Sequence, residues 1–398
     1  MPTYTSMSNL ILDFQDTATA FADKSDSDLK EKYRLFKLMN SPFLNSLGTG
    51  MAKFALNIGL PVDGLIKSTV FEQFCGGENI EECQKVIKKL GDAGIGTILD
   101  YSVEGKTKEE DFDETKEEIK RTIERAHNDK NIPFAVFKIS GIAPLGTLER
   151  MSSKKKLDAK GQMKCESIYS RVEDICAYAH KLGQPIFIDA EESWIQDAID
   201  KLATDMMARF NVGHPIVFNT IQLYRKGRLQ YLREARKQAK HDAYILGVKL
   251  VRGAYMEKER ERAKELSYES PIQPDKEATD TDYDAAIDYC LSHLDEIAFV
   301  AGTHNEESTR ILAMKMSDHG VPSNHPHVNF SQLYGMSDNL SYVLAKNGYN
   351  VSKYVPYGPV KDAVPYLIRR AQENSSVSGQ VSRELDLLIR EMKRRGIK

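Results

Sequence analysis

Residues 185–219 read PIFIDAEESWIQDAIDKLATDMMARFNVGHPIVFN. A short apolar run, Pro185–Asp189, is followed by an amphipathic stretch, Trp194–Arg209, and then by a second apolar run, Ile216–Asn219. Both runs are apolar at consecutive positions, as strands buried on both faces should be, and the stretch between them has helical periodicity. Such a unit predicts two parallel strands joined by a crossover helix. The same rhythm extends both ways. Further strands are expected at Gly96–Asp100, Ala135–Ser140, Gly247–Val251, Ala298–Gly302, His327–Phe330 and Val351–Val355. Helical stretches Asp113–Ala126, Ile168–Leu182, Tyr224–His241 and Asp282–Leu294 alternate with them. Eight strands favour closure into a (β/α)8 barrel over an open sheet. A barrel needs about 250 residues, and the chain has 398.

The surplus lies at the N-terminus. Residues 1–90 are expected to be a helical arm, and 91–398 the barrel. Ser41 and Pro42 suit an N-cap followed by the first helical position. Glu81–Leu90 predicts a helix stopped by Gly91. Phe43–Ile66 is the most apolar stretch, but Lys53, Asn57, Pro61 and Asp63 interrupt it too often for a bilayer span. It is either core packing or an amphipathic membrane contact. The first residues lack both a signal-peptide pattern and the Arg-rich character of a transit peptide. The five cysteines show no metal-type spacing, which points to reduced thiols and a cytoplasmic setting. A net charge of −3 argues against a nucleic-acid partner. The charged segment Glu104–Asn131 predicts a solvated helix laced with ion pairs. The run Lys154–Lys156 is solubilising or a weak attraction to anionic lipid.

Several patterns carry no chemistry. Gly94-Ile-Gly96 lacks a third glycine and enters a strand, whereas a dinucleotide fingerprint leaves one. Gly48-Thr-Gly50 has the same defect. His325-Pro-His327 has no acidic or thiol partner at useful spacing, so these are loop histidines and no metal is expected.

Chemistry in a closed barrel sits at the C-terminal mouth of the strands. The polar residues at the ends of the apolar runs are Lys138, Asp189, Lys249 with Arg252, and Thr303 with His304. Any one alone is equally well a satisfied core ion pair or a cap. Their convergence on one mouth points to a site. Late in the chain, Tyr366, Arg369, Arg370 and Glu373 share one helical face, with Val364, Leu367, Ile368 and Ala371 opposite. That face is either a solvated stripe or a guanidinium clamp for a carboxylate.

These residues resemble the proline dehydrogenase family. The motifs are Phe137-Lys-Ile-Ser140, Ile188-Asp-Ala-Glu-Glu192, Lys249-Leu-Val-Arg-Gly-Ala-Tyr255, Gly302-Thr-His-Asn305 and Tyr366-Leu-Ile-Arg-Arg-Ala-Gln-Glu-Asn374, in family order. The resemblance says nothing of residues 1–90. It implies a distorted TIM barrel with FAD at its mouth. L-Proline is oxidised to pyrroline-5-carboxylate and the electrons pass to a membrane quinone, with a possible peripheral contact at the inner face of the cytoplasmic membrane. By the same resemblance, Arg369 and Arg370 grip the proline carboxylate with Lys138 as a third cation, and Tyr255, Leu333 and Tyr354 wall the ring. Asp189 pairs with the cations and organises the site, and Lys249 lies by the flavin. Ala190, Gln222, Arg252, Gly253, Ala254, Thr303 and His304 hold FAD, with Glu373 in support. Two departures stand out: some bacterial members have Arg in place of Lys249 and Trp in place of Met256. The aldehyde dehydrogenase domain fused to some members is missing, so a separate pyrroline-5-carboxylate dehydrogenase is expected downstream. A Schiff-base lyase using Lys138 or Lys249, and a non-enzymatic scaffold, are the competing readings.

Overall fold

The computed structural model describes residues 12–39, 70–102, 107–153, 157–360, 362–363, 366–367 and 380–398. Eight parallel strands close into a barrel in sequence order. They are β1 Gly96–Tyr101, β2 Phe134–Phe137, β3 Ile186–Ile188, β4 Val217–Gln222, β5 Leu246–Val251, β6 Ile297–Gly302, β7 Val328–Leu333 and β8 Val351–Tyr357. β1 pairs with β8, with Ile98 opposite Tyr354, and so completes the ring. Each expected strand is present, and helices fill the connections. Their ends follow local rules: Asp158 caps the helix Ala159–Leu182 by accepting from the Gly161 amide, and Gly183 ends it at φ 66°.

Strand alternation sorts side chains to two sides of the sheet. The outward set packs under the helices as the main core. The inward set forms a plug of Ile98, Val136, Phe187, Phe218, Ala298 and Val300, with Tyr354 above it. Phe187 stacks on Phe134 at 4.5 Å between centroids and meets Phe218 edge-on at 5.5 Å. The barrel is therefore filled below, and polar chemistry is confined to the mouth.

The boundaries differ from expectation where side chains intervene. β2 stops at Phe137 instead of Ser140, and Ile139–Gly141 forms a 3-10 turn. Glu191 takes both the amide and the hydroxyl of Ser140, pulling that residue out of the ladder. The helix expected from Tyr224 begins at Arg228, because the Tyr224 amide bonds to the Arg252 carbonyl and Gly227 turns at φ 77°. β7 runs on through Ser331 and Gln332, polar residues that the mouth accommodates. Gly91 lies inside the helix Gln84–Asp92 and does not end it; a β-carbon there would meet Asn131. The acidic segment forms the helix Glu109–His127 with an Arg125–Asp129 pair at 2.8 Å, but it also buries Phe112, Ile119 and Ile123. Ser41, Pro42, Phe43–Ile66 and Lys154–Lys156 fall outside the described residues.

The N-terminal segment 12–39 lies against the barrel. Its Ala20, Phe21, Leu29 and Phe36 form a second core with Phe71, Phe74, Tyr366, Leu367, Leu387 and Leu388. Tyr366 and Leu367 are thus both buried, although they belong to opposite faces of the expected helix. Position 90/91 falls within the helix Gln84–Asp92. The five cysteines are free thiols, four of them buried. Among the described residues, no helix is long and apolar enough to cross a membrane.

Packing between neighbouring strands is tight at the end of the barrel away from the mouth. A β-carbon at Gly247 on β5 would strike the Val217 carbonyl on β4. Gly247→Ala should cost about 1–3 kcal/mol, as overpacking does. The urea unfolding midpoint checks this, and an unchanged midpoint would refute it.

Candidate active site

Five strand ends deliver four buried polar groups and the half-buried Lys138 to one point at the mouth. Asp100 on β1 and Asp189 just past β3 lie two residues beyond Ile98 and Phe187 of the plug, so alternation turns them inward. Lys138 follows Val136 in the same way, Lys249 faces inward on β5, and Tyr354 does so on β8. Asp189 is the hub. One carboxylate oxygen pairs with the Lys249 ammonium. The other accepts from Lys138 Nζ at 3.1 Å and from the Tyr354 hydroxyl at 2.6 Å. Lys138 also donates to both oxygens of Asp100, at 3.1 and 3.2 Å, and to Tyr354 at 3.2 Å. Lys249 lies 4.9 Å above the Phe187 ring and 5.0 Å from the Tyr354 ring. Two ammoniums and two carboxylates thus balance in a water-poor pocket.

The electrostatics follow from that balance. Burial alone would raise the Asp189 carboxyl, but Lys249 and Lys138 outweigh it and hold the group well below the usual carboxylate range. Burial would likewise lower Lys138, yet Asp100, Tyr354 and Asp189 raise it well above an ordinary lysine. Burial, Asp100 and Asp189 push the Tyr354 phenol well up, so it remains a hydrogen-bond donor. Beside the hub, burial pushes the Glu191 carboxyl up to about 7, although its bonds to Ser140 pull the other way.

A second group of residues extends from β4 to β6. Arg252 spreads its fork over Asp280 at 2.7 Å, Thr303 Oγ1 at 2.6 Å and Ser308 Oγ at 2.9 Å. Gly253 adopts φ 145°, and a β-carbon there would run into the Tyr224 ring. Gln222 donates to the Glu191 carbonyl at 2.9 Å, while its buried Oε1 finds no partner among the described residues. His304 Nδ1 sits 2.9 Å from Ser337 Oγ. The orphaned Gln222 acceptor suits a bound group that offers a ring N–H.

The comparisons with known proteins agree with this architecture. The sequence model of a family described as "Proline dehydrogenase" matches residues 83–383. The chain belongs to the proline dehydrogenase family. Among proline dehydrogenase relatives, mitochondrial proline dehydrogenase 1 of Dictyostelium discoideum is 31% identical over 426 residues, 96% of this chain and 74% of that protein. The Pectobacterium carotovorum subsp. carotovorum protein named carbapenem antibiotics biosynthesis protein CarD is 37% identical over 332 residues, 83% of this chain and 86% of its own length. Among solved structures, proline utilization A (PutA) from Bdellovibrio bacteriovorus, inactivated by N-propargylglycine, superposes with a TM-score of 0.71 at 17% identity. That match covers 97% of this chain and 42% of the PutA chain, so it is a likeness of fold over less than half of the larger protein.

The structure brings Lys138, Asp189, Lys249 and Tyr354 together. It sets Gln222, Arg252, Gly253, Thr303 and His304 on neighbouring strand ends. Leu333 packs against the inner plug. Ala190, Ala254 and Tyr255 lie half-buried beside the strand ends. Arg369, Arg370 and Glu373 fall outside the described residues. His325 and His327 are loop residues; His327 Nδ1 meets the Leu294 carbonyl at 2.7 Å.

The sequence reading missed Asp100. It ends the run Gly96–Asp100 just as Asp189 ends its own, so the rule that selected one selects the other. With a depressed folded-state pKa, Asp189 contributes stability above the unfolded value near 3.9 and loses it as pH falls below that range. Asp189→Asn should therefore cost about 3–5 kcal/mol near neutrality, by leaving the buried Lys249 ammonium without its carboxylate, and the deficit should shrink as pH falls through 4. Urea titrations at several pH values measure this, and a deficit independent of pH would contradict it.

Proposed function

We propose that the chain oxidises L-proline to pyrroline-5-carboxylate at the mouth of its barrel, with FAD as the bound acceptor and a membrane quinone as the next one. The observation that carries the reading is the Asp189 hub, a neutral cluster of opposed buried charges in a chain of this family. FAD, when bound, supplies a two-electron acceptor for the hydride that leaves the carbon beside the ring nitrogen. Gln222, Arg252, Gly253, Ala254, Thr303 and His304 are the residues to hold it, with Ala190 and Glu373 alongside.

Substrate binding rests on charge and shape. Arg369 and Arg370 take the carboxylate by their bidentate geometry, with Lys138 as the nearby cation. Tyr255, Leu333 and Tyr354 wall the ring. Fixing the carboxylate orients the reacting carbon, an effect that lowers the entropic part of the barrier. The ring nitrogen must be unprotonated to release hydride, and a pocket already charge-balanced by Asp189, Asp100, Lys138 and Lys249 leaves no carboxylate to stabilise an ammonium. The overall balance is a hydride from carbon and a proton from nitrogen. Lys249 beside the flavin site and Asp189 behind it keep this geometry rigid.

The lyase reading through Lys138 fares worse on the same geometry. Lys138 is held protonated by two carboxylates, and a Schiff-base nucleophile must be neutral. Electron delivery to quinone implies a peripheral contact with the inner face of the cytoplasmic membrane, and the pyrroline product implies a separate dehydrogenase downstream. We read 91–398 as the catalytic unit and 1–90 as its helical arm.

The purified chain should be yellow and should bleach when L-proline is added without air. A colourless chain that takes up no flavin would end this reading. Arg370→Ala should raise KM for proline at least tenfold, a loss of about 1.4 kcal/mol or more, while flavin stays bound; an unchanged KM would reject the carboxylate clamp. Tyr354 should crowd a ring hydroxyl, so hydroxyproline should turn over more slowly than proline, and equal turnover would contradict that role.

A further inference from the structure

The loop that joins β7 to the helix Asp338–Lys346 holds two residues in the left-handed region, Gly335 at φ 81° and Ser337 at φ 51°. Glycine accepts that conformation, but a serine there needs to be held. Four other parts of the chain hold this loop. Gln73 donates to the Gly335 carbonyl at 2.7 Å. Lys32 and Lys353 grip Asp338 at 2.8 and 3.0 Å, and Lys353 also reaches the Met336 carbonyl. Glu384, on the C-terminal helix Gln380–Arg394, accepts the Ser337 amide at 2.6 Å. Ser337 and Glu384 are 1% and 2% exposed.

The Ser337 side chain points elsewhere. Its hydroxyl lies 2.9 Å from His304 Nδ1, and His304 Nε2 accepts the Leu333 amide at 3.4 Å. A ring whose Nε2 accepts carries its proton on Nδ1, facing Ser337 Oγ. One serine therefore links the C-terminal helix, through Glu384, to two residues assigned here to flavin and to proline.

We propose that Ser337 is a positioning residue for the reaction, held in its left-handed conformation by Glu384, and that the pair fixes the ring of His304 and the backbone of Leu333 at the mouth. This rests on the flavin and proline roles given to His304 and Leu333. The link makes a helix far along the chain part of the site without touching substrate.

Ser337→Ala tests it in the full-length flavin-loaded protein, since it keeps the amide bound to Glu384 and removes only the hydroxyl. The rate of anaerobic flavin reduction at saturating proline should fall about tenfold. The flavin dissociation constant should rise severalfold, and the thermal midpoint should move by only a few degrees. Glu384→Ala should reproduce the kinetic loss, and Glu384→Gln, which keeps an acceptor, should recover to within about twofold. If Ser337→Ala stays within about twofold of wild type in both reduction rate and flavin affinity, the positioning role is overturned. Should Glu384→Ala fail to fold, Ser337→Ala alone decides. A wild-type chain that binds no flavin overturns the functional reading itself, and the roles of His304 and Leu333 with it.

Discussion

Asp189 cannot stand alone inside the barrel. A carboxylate stripped of water at the end of β3 is tolerable only because Lys249 and Lys138 lie against it and Tyr354 donates to it. Lys138 in turn needs Asp100. Each partner comes from a different strand, so the cluster constrains five strands at once. The register that sets Thr220 opposite Lys249, and Ile98 opposite Tyr354, is the one that lets these charges meet. A slip of one residue on any of these strands would turn its side chain outward into the apolar layer under the helices.

The aromatic plug beneath the cluster makes the arrangement work as a site. Phe134, Phe187 and Phe218 fill the barrel below the mouth and exclude water from that side. Opposed charges then sit on an apolar floor, where their attraction is strong and their positions are fixed. This is the environment in which an amine loses its proton readily and a carboxylate substrate finds a cation only where one is provided.

The barrel is also buttressed from outside. The N-terminal segment and the C-terminal helix share an apolar core with Phe71 and Phe74, while Lys32 reaches through to Asp338. Ends of the chain that carry no family motif near the N-terminus are therefore packed against the loop that follows β7. The mouth is shaped by strand ends and also by what leans on the loops between them.

The sequence by itself determined the eight strands, their parallel order and most of the mouth, because buried parallel strands are largely apolar at consecutive positions and a charge at the end of such a run has few other places to go. It held Asp100 in plain view by the same rule. It did not determine where β2 ends, because that depends on Glu191 capturing Ser140 from the loop after β3. Nor did it show that Gly91 lies within a helix, where Asn131 leaves no room for a β-carbon. The pairing of Asp189 with two lysines, and the reach of Glu384 through Ser337 to His304, were decided only by the tertiary structure. Those contacts join residues many positions apart, and local periodicity carries no record of which distant partner a side chain will meet.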